Sequence, residues 1–218
     1  RPVVLVGAMR PATAPRADGP PNLFQAVQVA VSAEAHGHGV LVVMDDQIHG
    51  ARTVTKVATQ GVGAFASSGG GPLGWVDDAG VHLPVNAVDR LCFFADLSLP
   101  EHWPQVAIVH GCVEPPGFQI TALLQAGVDG LVFTGTGAGQ LSRSERQALE
   151  EWQGLLPLML RSNRCGRGPV HDRDDDAELG LLAAADLNPQ KARVLLLLAL
   201  IAGLDRDDLA GLLSASHR

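Results

Sequence analysis

The chain has 218 residues, of which 46% are hydrophobic and 4% aromatic, and its formal net charge is −7. This length allows one large or two modest domains, and the negative charge argues against nucleic acid or an anionic membrane surface as the main partner. The most apolar run, 194–203, is too short for a membrane helix. Interiors built from Val, Leu and Ala favour an α/β fold with parallel, buried strands.

The first half of the chain predicts a strand, a helix and a second strand. Val3–Val6 is an aliphatic run typical of a central, buried strand. A helix capped by Asn22 follows, and Val40–Met44 is the next buried strand, which makes a parallel pair. The polar residues 45–60 follow a strand end, where open α/β sheets place their chemistry. The glycine-rich residues 61–80 are predicted to form a loop.

Residues 84–104 have weak periodicity and flanking prolines, and we interpret them as an interdomain linker. Beyond them the alternation of strands and helices resumes. Strands are predicted at 106–109, 130–134 and 156–161, and helices at 118–126, 144–153 and 189–202. The last helix has the clearest start, because Asn188 is a good cap and Pro189 suits the first turn.

Other features concern the compartment, thiols and metals. Arg1 is not Met and leads directly into a strand, so we interpret it as an internal position of a longer chain; a signal peptide would lie upstream, and the compartment, periplasmic or cytoplasmic, stays open. The cysteines, Cys92, Cys112 and Cys165, form no metal or redox motif and are interpreted as buried thiols. The histidines have no metal-ligand spacing, and Asp174–Asp176 is interpreted as a solvated turn or helix start, so no metal or other cofactor is predicted.

Four stretches of this chain together resemble the bacterial L-asparaginase/glutaminase family. They include the motifs Pro-Val-Val-Leu-Val-Gly, Val-Thr-Lys, Gly-Pro-Leu-Gly and Leu-Asn-Pro-Gln-Lys-Ala-Arg. The stretches lie at 2–23, 39–56, 64–74 and 161–196. Their pattern is closer to the bacterial type II branch than to the archaeal tRNA-amidating relatives.

This resemblance implies a two-domain α/β architecture with parallel sheets flanked by helices. Residues 1–83 would be the later part of an incomplete N-terminal, catalytic domain, 84–104 the linker, and 105–218 the C-terminal domain. It also implies a homotetramer built as a dimer of dimers. Each active site would lie between two subunits and bind a small amino-acid amide without a cofactor.

Hydrolysis of a side-chain amide needs a nucleophile, a base and donors for the oxyanion. The family uses two threonines, in Thr-Gly-Gly-Thr and Thr-Asp-Thr segments, and a lysine. Neither threonine motif occurs in these 218 residues, so the resemblance predicts a nucleophile segment upstream and an inactive chain without it. Lys56 stands at the position of the catalytic lysine, although a solvated loop lysine is the alternative interpretation.

The resemblance also suggests residues that bind substrate. Ala8 matches a backbone position that lines the pocket, although a small residue there also suits close backbone packing. Asp18 is predicted to fix a turn rather than touch substrate. The glycine-rich segment 135–140 resembles the loop that reaches a neighbouring subunit, with Gln140 where the family commonly has asparagine. Arg173 falls near a position where some type II enzymes place a glutamate for the substrate amine.

Three hypotheses follow for function. The first is an amidohydrolase acting on L-asparagine, with L-glutamine left open as a second substrate. The second is a non-catalytic binding or assembly subunit that retains the fold, which the departures at Gln140 and Arg173 would fit. The third is a nucleotide-binding α/β domain, and it depends only on the glycine-rich loop after a strand.

Overall fold

The computed structural model describes residues 2–84 and 93–215, and the chain divides into two compact units, Arg1–Leu91 and Cys92–Arg218. Within the described part of the chain, no helix has the length and apolarity needed to cross a membrane. The linker predicted at 84–104 includes residues 85–92, which lie outside the described residues, and it stays a prediction.

The first unit contains a five-stranded sheet, a two-stranded ribbon and a long helix. Its elements are β1 (Val3–Val6), α1 (Gly19–Val31), β2 (Val40–Met44), β3 (Gln47–Gly50), β4 (Val54–Lys56), β5 (Phe65–Ser67), β6 (Gly74–Asp77) and β7 (Gly80–His82), with a 3-10 turn at Ala33–Ala35. The sheet order is β1-β2-β3-β6-β7, and β4 pairs with β5 in the separate ribbon. Helix α1 packs on β1 and β2 and contributes Ala26 and Val29 to the core.

The strand pairing of this sheet is mixed. Strands β1 and β2 are parallel, as predicted, but the other pairs are antiparallel. The prediction of a loop at 61–80 was wrong, because this range holds β5, β6 and the start of β7; the polar residues 45–60 hold β3 and β4. The strand β2 turns into β3 through Asp45 and Asp46, with φ angles of 50° and 62°. Aspartate tolerates this left-handed backbone better than most residues, so two residues suffice for the turn.

Within the residues that the structure describes, strand β1 lies at the edge of its sheet, where the sequence predicted a central, buried strand. It pairs with β2 alone in the described sheet, and Val3 and Leu5 are 54% and 52% exposed. An aliphatic run predicts a strand from its own residues, but it does not reveal which strands flank it.

Helix α1 begins earlier than predicted. Asp18 occupies the position before its first residue, and two prolines follow Gly19 in the first turn. Proline suits the first turn because its fixed φ angle is helical and its missing N–H has no partner there. Asn22 is therefore not the cap; it lies inside the helix and is buried.

The second unit follows the predicted alternation of strands and helices. Its elements are β8 (Val106–His110), α2 (Phe118–Gln125), β9 (Gly130–Gly135), α3 (Arg143–Glu150), β10 (Leu158–Asn163), α4 (Asp174–Ala177), β11 (Leu181–Ala183), α5 (Pro189–Ile201) and α6 (Arg206–Ala215). The four strands are all parallel in the order β11-β10-β9-β8. The strands and helices predicted from 106 onward are confirmed in kind, and of the two alternatives for Asp174–Asp176 the helix start is the one observed, as α4; β11 and α6 were missed.

Helices cover both faces of this parallel sheet. Residues of β9 alternate between two cores: Val132 packs with α5 and α6, while Leu131 and Phe133 pack with α2 and α3. The predicted cap of α5 is confirmed, since the Asn188 side chain accepts a hydrogen bond from the Lys191 N–H at 2.9 Å. Helices packed on both faces of the sheet therefore support the strands whose ends carry the loops.

The interpretation of the cysteines as buried thiols was wrong for the two that are described. Cys112 and Cys165 are exposed, and each lies in a loop just after a strand of the parallel sheet. Loops run over the protein surface, so small apolar residues there are exposed whatever their intrinsic preference for burial. Cys92 lies outside the described residues.

Candidate functional site

The loop after β1 is fixed by a carboxylate. The Asp18 side chain accepts hydrogen bonds from the N–H groups of Met9 and Arg10, both at 2.8 Å. This geometry agrees with the turn-fixing role that the sequence predicted for Asp18. These hydrogen bonds, above all the one from Met9, stabilise the charged carboxylate. They therefore lower the pKa of Asp18 from its ordinary value.

The buried amide of Asn22 connects three segments beneath the same loop. Its Nδ2 donates to the Gly7 carbonyl at 3.0 Å and lies 3.3 Å from the Asp18 carboxylate, while its Oδ1 accepts from the Asp45 N–H at 3.1 Å. Ala8 stands between Gly7 and Met9, so both of its neighbours are held. The side chain of Ala8 itself is exposed, and the surrounding network keeps its peptide groups in place.

Lys56 ends strand β4 and faces Phe65 across the ribbon. The two residues are register partners, and the Lys56 ammonium lies 5.9 Å from the centre of the Phe65 ring. A cation at this distance from a ring face is attracted by the π electrons. Among the described residues no acidic side chain is paired with Lys56, and its side chain is exposed.

The ribbon is joined to the five-stranded sheet by a buried polar contact. The His49 Nδ1 on β3 lies 2.9 Å from the Ser67 hydroxyl on β5, and both side chains are buried. Burial lowers the pKa of His49, because the charged imidazolium is poorly solvated in the core. The Ser68 N–H also donates to the Thr53 carbonyl at 3.0 Å, which extends the pairing of the ribbon itself by one residue.

Ala8 and Lys56 belong to the same unit but to different parts of it. Ala8 follows the edge strand β1, whereas Lys56 lies in the ribbon that packs beside β3, two positions further along the sheet order. The structure therefore places Lys56 at the end of a strand and Ala8 in the hydrogen-bonded loop after another strand.

In the second unit the glycine-rich loop follows β9 at the carboxyl end of the parallel sheet. Thr136 and Gln140 close the loop through two reciprocal backbone hydrogen bonds of 3.0 and 2.8 Å. Gly137 and Gly139 between them have φ angles of 53° and 83°, which favour glycine. The Gln140 side chain is exposed. Carboxyl ends of parallel strands are the usual position for ligand sites in open α/β sheets.

One buried guanidinium binds the loop to two other segments. Arg161, on β10, is 1% exposed. Its Nη1 donates to the carbonyls of Ala138 at 3.0 Å and Gly139 at 3.5 Å, and its Nη2 donates to the His171 carbonyl at 2.5 Å. Its Nε lies 2.6 Å from Oδ2 of Asp176. Each nitrogen thus contacts a different part of the chain.

The acidic run at the start of α4 has two environments, which corrects its interpretation as wholly solvated. Asp176 is buried between Arg161 and Arg146, whose Nη2 lies 2.9 Å from its Oδ1. Asp175 is exposed and forms a two-point ion pair with Arg173, with distances of 3.0 and 3.2 Å. That pairing lowers the pKa of Asp175 and raises the pKa of Arg173. Sequence alone could not separate these neighbours, because burial depends on β10.

The described residues hold no group of three or more His, Cys, Asp or Glu side chains arranged for a metal ion. The polar residues that organise the loops were mostly missed by sequence reasoning. Asn22 was predicted as a cap, and no role was predicted for His49 or Arg161. The roles of these residues depend on contacts between segments that are distant in the sequence, and no local sequence pattern reveals such contacts.

Comparison with protein families gives two matches along the chain. Residues 1–89 match the model described as "Asparaginase, N-terminal", and residues 105–213 match the model described as "Glutaminase/Asparaginase C-terminal domain". The two matches together take in nearly all of the sequence.

Individual relatives agree. The chain is similar to L-asparaginase 2 of Bacillus subtilis, at 41% identity over 92% of this chain and 54% of that protein, and to L-asparaginase 2 of Escherichia coli, at 40% over 92% and 59%. It is 38% identical to the glutaminase-asparaginase of Acinetobacter glutaminasificans over 92% of this chain and 62% of that protein. The chain therefore spans somewhat more than half the length of these curated relatives.

A solved structure is similar as well. The crystal structure of a probable cytoplasmic L-asparaginase from Campylobacter jejuni matches with a TM-score of 0.88 and 39% identity. The match covers 98% of this chain and 71% of that chain. Sequence and backbone geometry thus agree on the same set of relatives.

Proposed function

This chain belongs to the asparaginase/glutaminase family, in its bacterial type II branch, and from that premise we propose that the intact protein hydrolyses L-asparagine to L-aspartate and ammonia. Relatives of this family include proteins named L-asparaginase and glutaminase-asparaginase. The observation that carries the proposal is the match of one chain to both domains of the family. Lys56, which the resemblance predicts to be the catalytic lysine, lies on an ordered ribbon.

The proposed chemistry has two steps. A threonine hydroxyl outside these 218 residues attacks the side-chain amide carbon, and its proton passes to a base. The base returns this proton to the departing nitrogen as the tetrahedral oxyanion collapses, so that ammonia is expelled and an acyl-enzyme remains. Water then attacks the ester and releases aspartate and the threonine hydroxyl. The 218 residues by themselves contain neither threonine motif of the family, and we expect them to release no ammonia alone.

Lys56 is the catalytic residue that we assign within this chain. Its ammonium would carry positive charge, or a proton, at the site where the nucleophile is activated. The ammonium lies 5.9 Å from the ring centre of Phe65, close enough for attraction between the cation and the ring. The pairing of the ribbon and its contact with His49 support a fixed starting point for the side chain.

Ala8 and Gln140 are the substrate-binding residues of the proposal. Ala8 would present backbone groups to the substrate, and the bonds on both of its neighbours favour this role. Gln140 would offer its side-chain amide, one methylene longer than the asparagine common in the family. We also propose the homotetramer that the family resemblance implies, in which sites form between subunits.

The test is ammonia release from L-asparagine and L-glutamine, measured for the 218-residue chain and for the product of its complete reading frame. Activity confined to the complete product supports the proposal, and the ratio of the two rates gives the substrate preference. Binding of aspartate without ammonia release by the complete product would favour the non-catalytic subunit instead.

A further inference from the structure

Burial of the charged Arg161 side chain in the core of the second unit is energetically unfavourable. A buried guanidinium loses its hydration, and a buried ion pair often stabilises no better than apolar side chains of similar volume. Stability alone therefore does not account for a buried arginine at this position. Buried ionic groups can instead favour one conformation over others. Nη1 and Nη2 of Arg161 each donate to a backbone carbonyl, while Nε is held by charge, 2.6 Å from Asp176 Oδ2 but outside hydrogen-bonding geometry.

The contacts of Arg161 favour one conformation of the loops at the ends of the strands. Nη1 binds the glycine-rich loop, Nη2 binds the segment before α4, and Nε pairs with Asp176 inside α4. The planar fork of arginine reaches all three segments at once, whereas a lysine ammonium is a single point charge. The loop backbone is adapted to this contact, because a side chain at Gly139 would come within 3.1 Å of Nη1.

We propose that Arg161 is a positioning residue, which holds the loop of residues 135–140 in the conformation that binds substrate, and that Asp176 holds the guanidinium for this purpose. This inference rests on the proposed function, because it takes Gln140 as a substrate ligand. The conformation of Gln140 then depends on residues 171–176, including the segment that carries Arg173.

The test compares Arg161→Lys with Arg146→Lys in the intact protein. Both changes replace a guanidinium that contacts Asp176 by an ammonium, but only Arg161 contacts the loop carbonyls. Hydrogen–deuterium exchange is read by mass spectrometry on peptides covering residues 135–140, which include the reciprocally bonded amides of Thr136 and Gln140. The kcat and KM for L-asparagine are measured for the same samples.

In R161K we expect exchange in the loop to be at least tenfold faster and KM to rise at least tenfold, with kcat changed less than threefold. In R146K the rate of loop exchange and the KM should both stay within twofold of their values in the unaltered protein. Equal loop exchange in the two variants would overturn the inference, and so would faster exchange in R161K with an unchanged KM. A general loss of rigidity would accelerate exchange throughout the unit rather than in the loop.

If R161K does not fold, Asp176→Asn replaces it, because that variant keeps the guanidinium and its three carbonyl acceptors while removing the counter-charge. Loop exchange should then be at least threefold faster, and no change would overturn the inference. Failure of the proposed function is recognised separately: the unaltered protein would release no ammonia. The exchange comparison needs no substrate and would still decide whether Arg161 positions the loop.

Discussion

The ammonium of Lys56 lies 5.9 Å from the ring centre of Phe65, its register partner across the β4–β5 ribbon. The contact gives an exposed lysine a preferred position through attraction between the cation and the ring, about 0.5–1 kcal/mol at an exposed site. A lysine free in solvent would lack this restraint. Strand β4 thus presents its last side chain in a defined direction.

Replacing this lysine should abolish most of the activity. We expect Lys56→Met in the intact protein to lower kcat for L-asparagine by a factor of about 10² or more, in the range typical of a lost proton-transfer group. Lys191→Met is the matched control, because Lys191 is the other lysine of this sequence and lies in the second unit. Steady-state ammonia release measures both. Equal activity of the two variants would contradict the assignment.

Asp18 should make the first unit sensitive to acid. The pKa of Asp18 is lower in the folded protein than its ordinary value of 3.8, so its contribution to stability is present above that value and is lost as the pH falls through the folded pKa. Asp18→Asn should therefore destabilise the protein at pH 7, and the difference from the unaltered protein should shrink below about pH 4. Urea unfolding of both proteins, at pH 7 and again below about pH 4, measures the difference in stability. Asp78→Asn, in an exposed turn, should show no such trend.

The contact between His49 and Ser67 should stabilise the ribbon. Ser67→Ala leaves a buried ring nitrogen without its partner, so we expect the free energy of unfolding to fall by about 1–3 kcal/mol. Ser68→Ala is the neighbouring control, because the Ser68 hydroxyl makes a longer, 3.3 Å contact that is only partly buried. Urea denaturation followed by circular dichroism gives both values. A loss in S68A as large as that in S67A would mean that the His49 contact is not the stabilising one.

Substitutions at two glycines of the loop can distinguish the effect of backbone strain from the effect of packing. Gly137 and Gly139 both have positive φ angles, but an added Cβ meets nothing within 4 Å at Gly137 and comes 2.9 Å from the Ser162 carbonyl at Gly139. Gly139→Ala should destabilise the protein by about 1–3 kcal/mol more than Gly137→Ala, since overpacking adds to the shared backbone cost. Denaturant unfolding of the two variants measures this difference, and equal losses would refute the packing argument.

The sequence predicted most of the second unit because its signals are local. Aliphatic runs at 106–109 and 130–134 and the Asn188 cap need no knowledge of the rest of the fold, and the structure agrees with them. In the first unit the same reasoning identified β1 and β2 but missed the strands from β3 to β7. Those strands have three or four residues each and, unlike β1, mix polar residues and glycine with apolar ones, so no aliphatic run or periodic pattern stands out.

The candidate site was predicted in part for a similar reason. Lys56, Ala8 and Gln140 were identified through motifs, and their roles stay predictions. The residues that hold the surrounding loops, such as Asn22 and Arg161, act on carbonyls distant in sequence. Which carbonyls approach a given side chain is decided by strand order, and strand order is a property of the whole sheet.

The strand order of the second unit has a consequence for synthesis on the ribosome. Each strand from β9 to β11 pairs with the strand made just before it, in one direction across the sheet. A newly emerged strand always finds its partner already in place, so the sheet grows without waiting for later segments. The first unit differs, because β6 pairs with β3 across the intervening ribbon. We therefore expect the second unit to become protease-resistant progressively during translation, and the first unit only after β6 and β7 have emerged.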